Sequence, residues 1–297
     1  MLPRISPLLL TLAFFLNTLS ILFRLRSNSF ILIWFMMEIR MLRFIVILIL
    51  SQHNLSNTYV VKYFMFQTFR SVALVVSFSN GSTYHDTLIF ISIIKLGTAP
   101  FHMWFMRVVE KLSFIHIFWL AVPQKIIPLR IIQLITLPSS NFNKVILVRV
   151  ALASLHIITQ LKLLKMLAAS SVYITPWIVF SFLHSDLVRW VFFLLYSLTQ
   201  GLVIRLLFKI KIKADPVSLK RRSLAYYNLV FLMLTIAGFP PSPLFFIKLY
   251  VVFYLFTVRI GITALGLMLI ASVSIFNYLN MVRVSAVTSV RYRRTIF

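Results

Sequence analysis

Three lysines stand inside apolar stretches of this chain, each beside residues that break helices. Lys95 precedes Gly97 and Pro100, Lys125 lies between Pro123 and Pro128, and Lys248 follows Gly238, Pro240, Pro241 and Pro243. A lysine at the centre of a membrane span costs ~2.5–3.5 kcal/mol on insertion scales. A proline in a helix interior costs about 3 kcal/mol. Interrupted helices persist in a membrane only where protein or water takes up the freed backbone groups. A threefold repeat of so costly a combination points to use, as a path for ions or protons. Lysine can accept and release a proton, which arginine cannot. Glu38, inside the apolar run 34–43, is the fourth candidate. A carboxylate held between burial and a nearby cation can exchange a proton. Arg40 and Arg43 are two and five residues away and share its helix face poorly. His102 follows the first break, where it could relay protons or cap freed carbonyls. Arg70, within 59–79, should find an acid, carbonyls or water. No partner is evident for His116, His156 or His184, and Glu110 and Asp186 read as interfacial charges at span ends.

The elements that must position these groups are membrane spans. Of 297 residues, 61% are hydrophobic, well above the ~45–50% of soluble domains, and the mean hydropathy is +0.97. A spanning helix needs about 20 apolar residues. About ten candidates follow: 6–24, 29–49, 59–79, 86–107, 112–136, 144–161, 166–184, 187–208, 223–255 and 257–283. The expected fold is an all-α polytopic membrane protein, a single bundle over 1–297. Breaks are expected near 95–102, 123–128 and 238–248. The last should split the over-long ninth span into two half-helices. Lysines beside broken helices recur in spans four, five and nine, and discontinuous helices often carry the midplane ion sites of transporters.

The net charge of +25 comes from 30 basic and 5 acidic residues. Most of it sits in short gaps between apolar runs, which fits membrane topology rather than nucleic-acid binding. The basic polar loop 209–222 reads as a topology anchor. With an even span count, the N-terminus, this loop and the C-terminal tail share the synthesising side. There is no cysteine, hence no disulfide or thiolate-held cluster. Without paired histidine spacing, a dinucleotide fingerprint or a Walker loop, no metal, nucleotide or flavin site is expected. No targeting segment stands out ahead of the first apolar run.

The same residues form a longer pattern. Lys95-Leu96-Gly97-Thr98-Ala99-Pro100-Phe101-His102-Met103-Trp104 resembles the K-L-G-x-A-P-F-H-x-W signature of the mitochondrial NADH dehydrogenase subunit 2 family, antiporter-like chains of respiratory complex I. Gln124-Lys125-Ile126-Ile127-Pro128 resembles its Q-K-x-x-P, and Gly238-Phe239-Pro240-Pro241 with Lys248 its G-L-P-P…K. Trp34 with Glu38 matches W-x-x-x-E, and Lys62-Tyr63-Phe64 with Gln67 matches K-Y-F-x-x-Q. Residues 161–177, with Lys165 and Ser170-Ser171, weakly resemble R-K-x-L-A-Y-S-S-I-x-H-M-G-W. The matches run in family order across roughly 6–283.

The resemblance implies an antiporter-like fold and a share in proton translocation coupled to electron transfer from NADH to ubiquinone. It implies that Glu38 pairs with Lys95, that Lys125 is the central proton carrier, and that Lys248 leads to the exit or the next subunit. His102 and Lys165 are possible relays. NADH, FMN, iron–sulfur clusters and ubiquinone would be bound by other subunits, and this chain would hold no cofactor. The implied partners are the other membrane-arm subunits, including neighbouring antiporter-like chains, and lipids. The implied location is the mitochondrial inner membrane, with both termini and the 209–222 loop on the matrix side. Departures from the family include Arg40, Arg43, Arg70, Met106-Arg107, Pro123, Tyr173, Pro176 and Leu244, and no family span is evident after 283. The alternatives are a subunit of a related cation/proton antiporter, or a structural subunit whose arginines keep Glu38 charged and its ion sites inactive.

Overall fold

The computed structural model describes residues 29–51, 57–79, 85–134 except 111, 140–181 except 159 and 161–162, 186–210, 224–257 except 241, and 261–294. Described residues form α1 (Phe30–Ser51), α2 (Asn57–Ser79), α3 (His85–Lys95), α4 (Met103–Val109), α5 (Phe114–Ala121), a 3-10 turn (Pro123–Lys125) and α6 (Ile126–Leu134). They continue as α7 (Ser140–Ile158), α8 (Leu163–Ser181), α9 (Asp186–Ile210), α10 (Leu224–Ala237), α11 (Pro243–Thr257) and α12 (Gly261–Arg294). No strand occurs among the described residues. The expected span 6–24 and nearly all of the 209–222 loop lie outside them. Each of the other expected spans falls on a helix or a pair of shorter helices.

The last expected span, 257–283, covers the apolar stretch Gly261–Asn280, while its helix, α12, runs on to Arg294. Loss of apolarity ends a membrane span, not a helix, and residues 281–294 contain neither proline nor glycine. Four described stretches are long and apolar enough to cross a membrane: Phe114–Gln133, Leu164–Ser181, Leu187–Lys209 and Gly261–Asn280.

The bundle reverses the polarity of a soluble fold. Phe69, Leu187 and Ile262 are 78%, 72% and 89% exposed, whereas Arg40, Lys95, Lys125, Arg149 and Lys248 are all buried. Apolar side chains outside and charges inside suit a hydrocarbon solvent. α8 is the innermost helix, with 89% of its spanning stretch buried, and it packs on α4, α7, α9 and α11.

Candidate functional site

The three helix breaks are built in three ways. At the first, α3 is followed by a turn at Gly97, whose φ of 71° favours glycine. The Thr98 hydroxyl donates to the Ile93 carbonyl at 3.0 Å. Arg149, from α7, donates to Thr98 Oγ1 at 2.8 Å and to the Ala99 carbonyl at 3.2 Å, and Pro100 follows in a cis peptide. At the second, Pro123 opens the 3-10 turn, and the Tyr196 hydroxyl of α9 reaches the Ala121 carbonyl at 3.2 Å. Pro128 falls in the first turn of α6, where a missing N–H is tolerated.

The third break is a Schellman motif. The Phe239 N–H bonds the Leu234 carbonyl at 3.0 Å and the Gly238 N–H the Thr235 carbonyl at 3.1 Å, with Gly238 at φ 86°. Pro240 lies in the connection, and Pro241 lies outside the described residues. Ser242 then caps α11, accepting the Phe245 N–H at 3.3 Å on its hydroxyl, and Pro243 takes the first helical position.

These breaks deliver the lysines inward. Lys95, at the C-terminus of α3, has its Nζ 3.6 Å from Glu38 Oε1 of α1. Ser71 of α2 also donates to Glu38, and Trp34 Nε1 donates to Ser71 Oγ at 3.0 Å. Lys125 is met by α8 and α9. Its Nζ donates to Ser171 Oγ at 2.6 Å, Thr175 Oγ1 at 2.7 Å and the Ser171 carbonyl at 2.9 Å, with the Tyr196 hydroxyl at 3.3 Å. Lys248 donates to the Ala237 carbonyl, the last of α10, at 2.8 Å. Its ammonium also lies 4.9 Å from the Tyr173 ring and 5.5 Å from the Trp177 ring. A Cβ on Gly238 would stand 2.9 Å from that Nζ.

α8 therefore divides Lys125 from Lys248. Ser171 and Thr175 share one helix face; Tyr173 and Trp177 share another, about 200° away at two residues' spacing. The first pair holds Lys125 and the second holds Lys248. Between Lys95 and Lys125 lies a cavity of about 40 Å³, lined also by Arg40, Tyr63, Gln67 and Gln124. The Tyr63 hydroxyl donates to Gln124 Oε1 at 3.0 Å.

The possible relays sit to one side. The His102 ring packs edge-on against His156 at 4.3 Å, and His156 Nε2 is 3.2 Å from Gln160 Nε2. Lys165 pairs at 2.8 Å with Glu110, so that acid, read from sequence as an interfacial charge, joins α4 to α8. His116 meets Ser113 Oγ at 2.5 Å, while His184 lies outside the described residues. The Arg70 guanidinium lies over the Trp104 ring at 4.6 Å, a contact the sequence did not suggest. A flat cation can rest on an indole face where no acid is at hand. Sequence reasoning missed Arg149, Thr175 and Tyr196. Polar residues inside spans were a signal for them, but nothing along the chain says which break or lysine each would meet.

No protein-family model matches the chain. It is 28% identical to NADH-ubiquinone oxidoreductase chain 2 of Myxine glutinosa over 92% of its length, covering 84% of that protein. Against NADH-ubiquinone oxidoreductase chain 2 of Anas capensis, identity is again 28%, over 96% of this chain and 87% of the relative. A chain of respiratory complex I from Thermus thermophilus with bound aureothin superposes with TM-score 0.77 at 17% identity, covering 89% of this chain and 67% of that one. A chain of the Mrp complex from Dietzia sp. gives TM-score 0.74 at 14% identity, covering 89% and 58%. The fold is that of the antiporter-like membrane subunits. The chain is a homologue of NADH-ubiquinone oxidoreductase chain 2, and the resemblance read from its motifs is borne out.

Proposed function

We propose that this chain is a membrane-arm subunit of NADH:ubiquinone oxidoreductase that carries protons across the mitochondrial inner membrane. The observation that carries this reading is the row of three buried lysines, Lys95 with the half-buried Glu38, then Lys125, then Lys248, each lysine beside a broken helix. A buried lysine without a carboxylate partner is costly in a membrane interior, and function is the best reason to retain one. Lys125 acts as the central carrier. In its charged form it is held by the hydroxyls of Ser171, Thr175 and Tyr196 and the Ser171 carbonyl. When it gives up a proton, those hydroxyls can turn to donate to the amine. Lys95 with Glu38 forms the entry side and Lys248 the exit side, with His102 and Lys165 as accessory relays. Electron transfer from NADH through FMN and iron–sulfur clusters to ubiquinone takes place in other subunits, and this chain binds none of them. Neighbouring antiporter-like chains and lipids cover its apolar exterior. Both termini and the 209–222 loop face the matrix.

The test is Lys125→Met in the assembled complex, reconstituted in vesicles. Proton pumping driven by NADH oxidation is expected to be lost, and full pumping would sink the carrier assignment. Under mild solubilisation the chain should run with a very large NADH-oxidising assembly. Recovery as a separate cation/proton exchanger would favour the second reading, which the likeness to the Mrp complex supports.

A further inference from the structure

Arg40 is a buried cation that this division of roles does not use. It is 3% exposed, and both terminal guanidinium nitrogens lack a hydrogen-bond partner among the described residues. It lines the cavity of about 40 Å³ that reaches from Lys95 to Lys125. A water needs roughly 10–15 Å³ of such space, so two or three fit. They would supply the acceptors that Arg40 lacks, because Glu38 is already engaged by Lys95 and Ser71. Arginine stays charged at any physiological pH. Water in this cavity would therefore sit beside a permanent positive charge. Two like charges about 4 Å apart at a protein-like dielectric repel enough to lower joint occupancy on the order of a thousandfold.

We propose that Arg40 is the electrostatic barrier of the Lys95–Lys125 passage, a fixed charge that bars stray protons while allowing the coupled one. This rests on the proton-carrying reading above. A proton leaving the Lys95 ammonium for the cavity water leaves a neutral amine and uncovers the Glu38 carboxylate. That negative charge offsets the guanidinium, and the proton passes on to a neutral Lys125 amine, which becomes an ammonium. A proton arriving while Glu38 and Lys95 remain paired meets the uncompensated field of Arg40. Arginines in other pores exclude protons and cations by the same repulsion.

The experiment is passive proton leak in vesicles that hold the assembled complex, under an imposed pH gradient and without NADH. Arg40→Gln is expected to raise the leak about tenfold or more, and Arg40→Lys to raise it less. The double variant Arg40→Gln/Lys125→Met should return it to the wild-type level, because the carrier beyond the barrier is gone. Gln67→Glu leaves Arg40 in place but sets a carboxylate in the cavity wall, so it too should raise the leak. An unchanged leak in assembled Arg40→Gln or Gln67→Glu overturns the proposal, as does a leak that persists in the double variant. If Lys125→Met alone pumps fully, the underlying reading fails. If that variant is dead yet Arg40→Gln does not leak, only the barrier fails.

Discussion

Lys125 and Lys248 are both buried lysines beside helix breaks, yet their surroundings differ in kind. Lys125 has three hydroxyls and a carbonyl within 3.3 Å. Lys248 has one carbonyl at 2.8 Å and two aromatic faces about 5 Å off. Hydroxyls both donate and accept, so the Lys125 pocket can solvate an amine as well as an ammonium. A carbonyl and ring faces offer only negative potential, which favours the ammonium alone. One helix, α8, builds both pockets by giving small polar residues to one face and aromatics to the other. The same buried cation can thus be set among groups that solvate both its forms or among groups that contact only the ammonium.

That contrast can be broken by substitution. The largest effect is expected from Ser171→Ala with Thr175→Val. Two hydrogen bonds to a charged group, worth about 1.5–3 kcal/mol each, are removed from Lys125. NADH-driven pumping should fall at least tenfold, read as protons moved per NADH oxidised in reconstituted complex. A loss no greater than that of Tyr173→Phe would mean the hydroxyls are ordinary packing.

Next comes Gly238→Ala set against Gly97→Ala. Both force a side chain into positive φ, at about 1–2 kcal/mol. Only the first also drives a Cβ to within 2.9 Å of a lysine nitrogen; at Gly97 the nearest atom is 3.4 Å away on Trp104. Thermal stability of the complex should fall further for Gly238→Ala. Equal melting shifts would show that Lys248 is free to move aside.

A smaller effect is expected from Trp177→Leu, which removes a cation–π contact of about 0.5–2 kcal/mol. Pumping should fall severalfold without touching the Lys125 pocket. The smallest is Tyr173→Phe, which keeps the ring against Lys248 and gives up only the hydroxyl 3.0 Å from Ser274 Oγ. A net cost of about 0.5–1.5 kcal/mol in stability and little change in pumping are expected. If Tyr173→Phe proves worse than Trp177→Leu, the hydroxyl rather than the ring serves Lys248.

Much of this was legible along the chain because its signals are local. A glycine before a proline cluster inside an apolar run can only be an interruption, and the break expected there is built as a Schellman end followed by a serine-capped start. The extent of the apolar runs placed the helices, except where α12 continues past its apolar stretch. The contacts of Glu110 and Arg70 were not legible, for the opposite reason. Glu110 lies 55 residues before the lysine it pairs with, and Arg70 settles on an indole 34 residues further along the chain. Neither separation has a period that a sequence pattern can carry.

By itself, then, the sequence determined that this is an apolar helical bundle with interrupted spans, and which ionisable groups had to be buried, since hydropathy, proline and glycine act on their own neighbours. Tertiary structure alone decided which groups meet. It set Arg40 on the wall of the cavity that Lys95 and Lys125 also line, and gave one face of α8 to Lys125 and another to Lys248. The rotation and depth of each helix are fixed by packing on all its neighbours at once, and a buried charge has no meaning until the atoms around it are known.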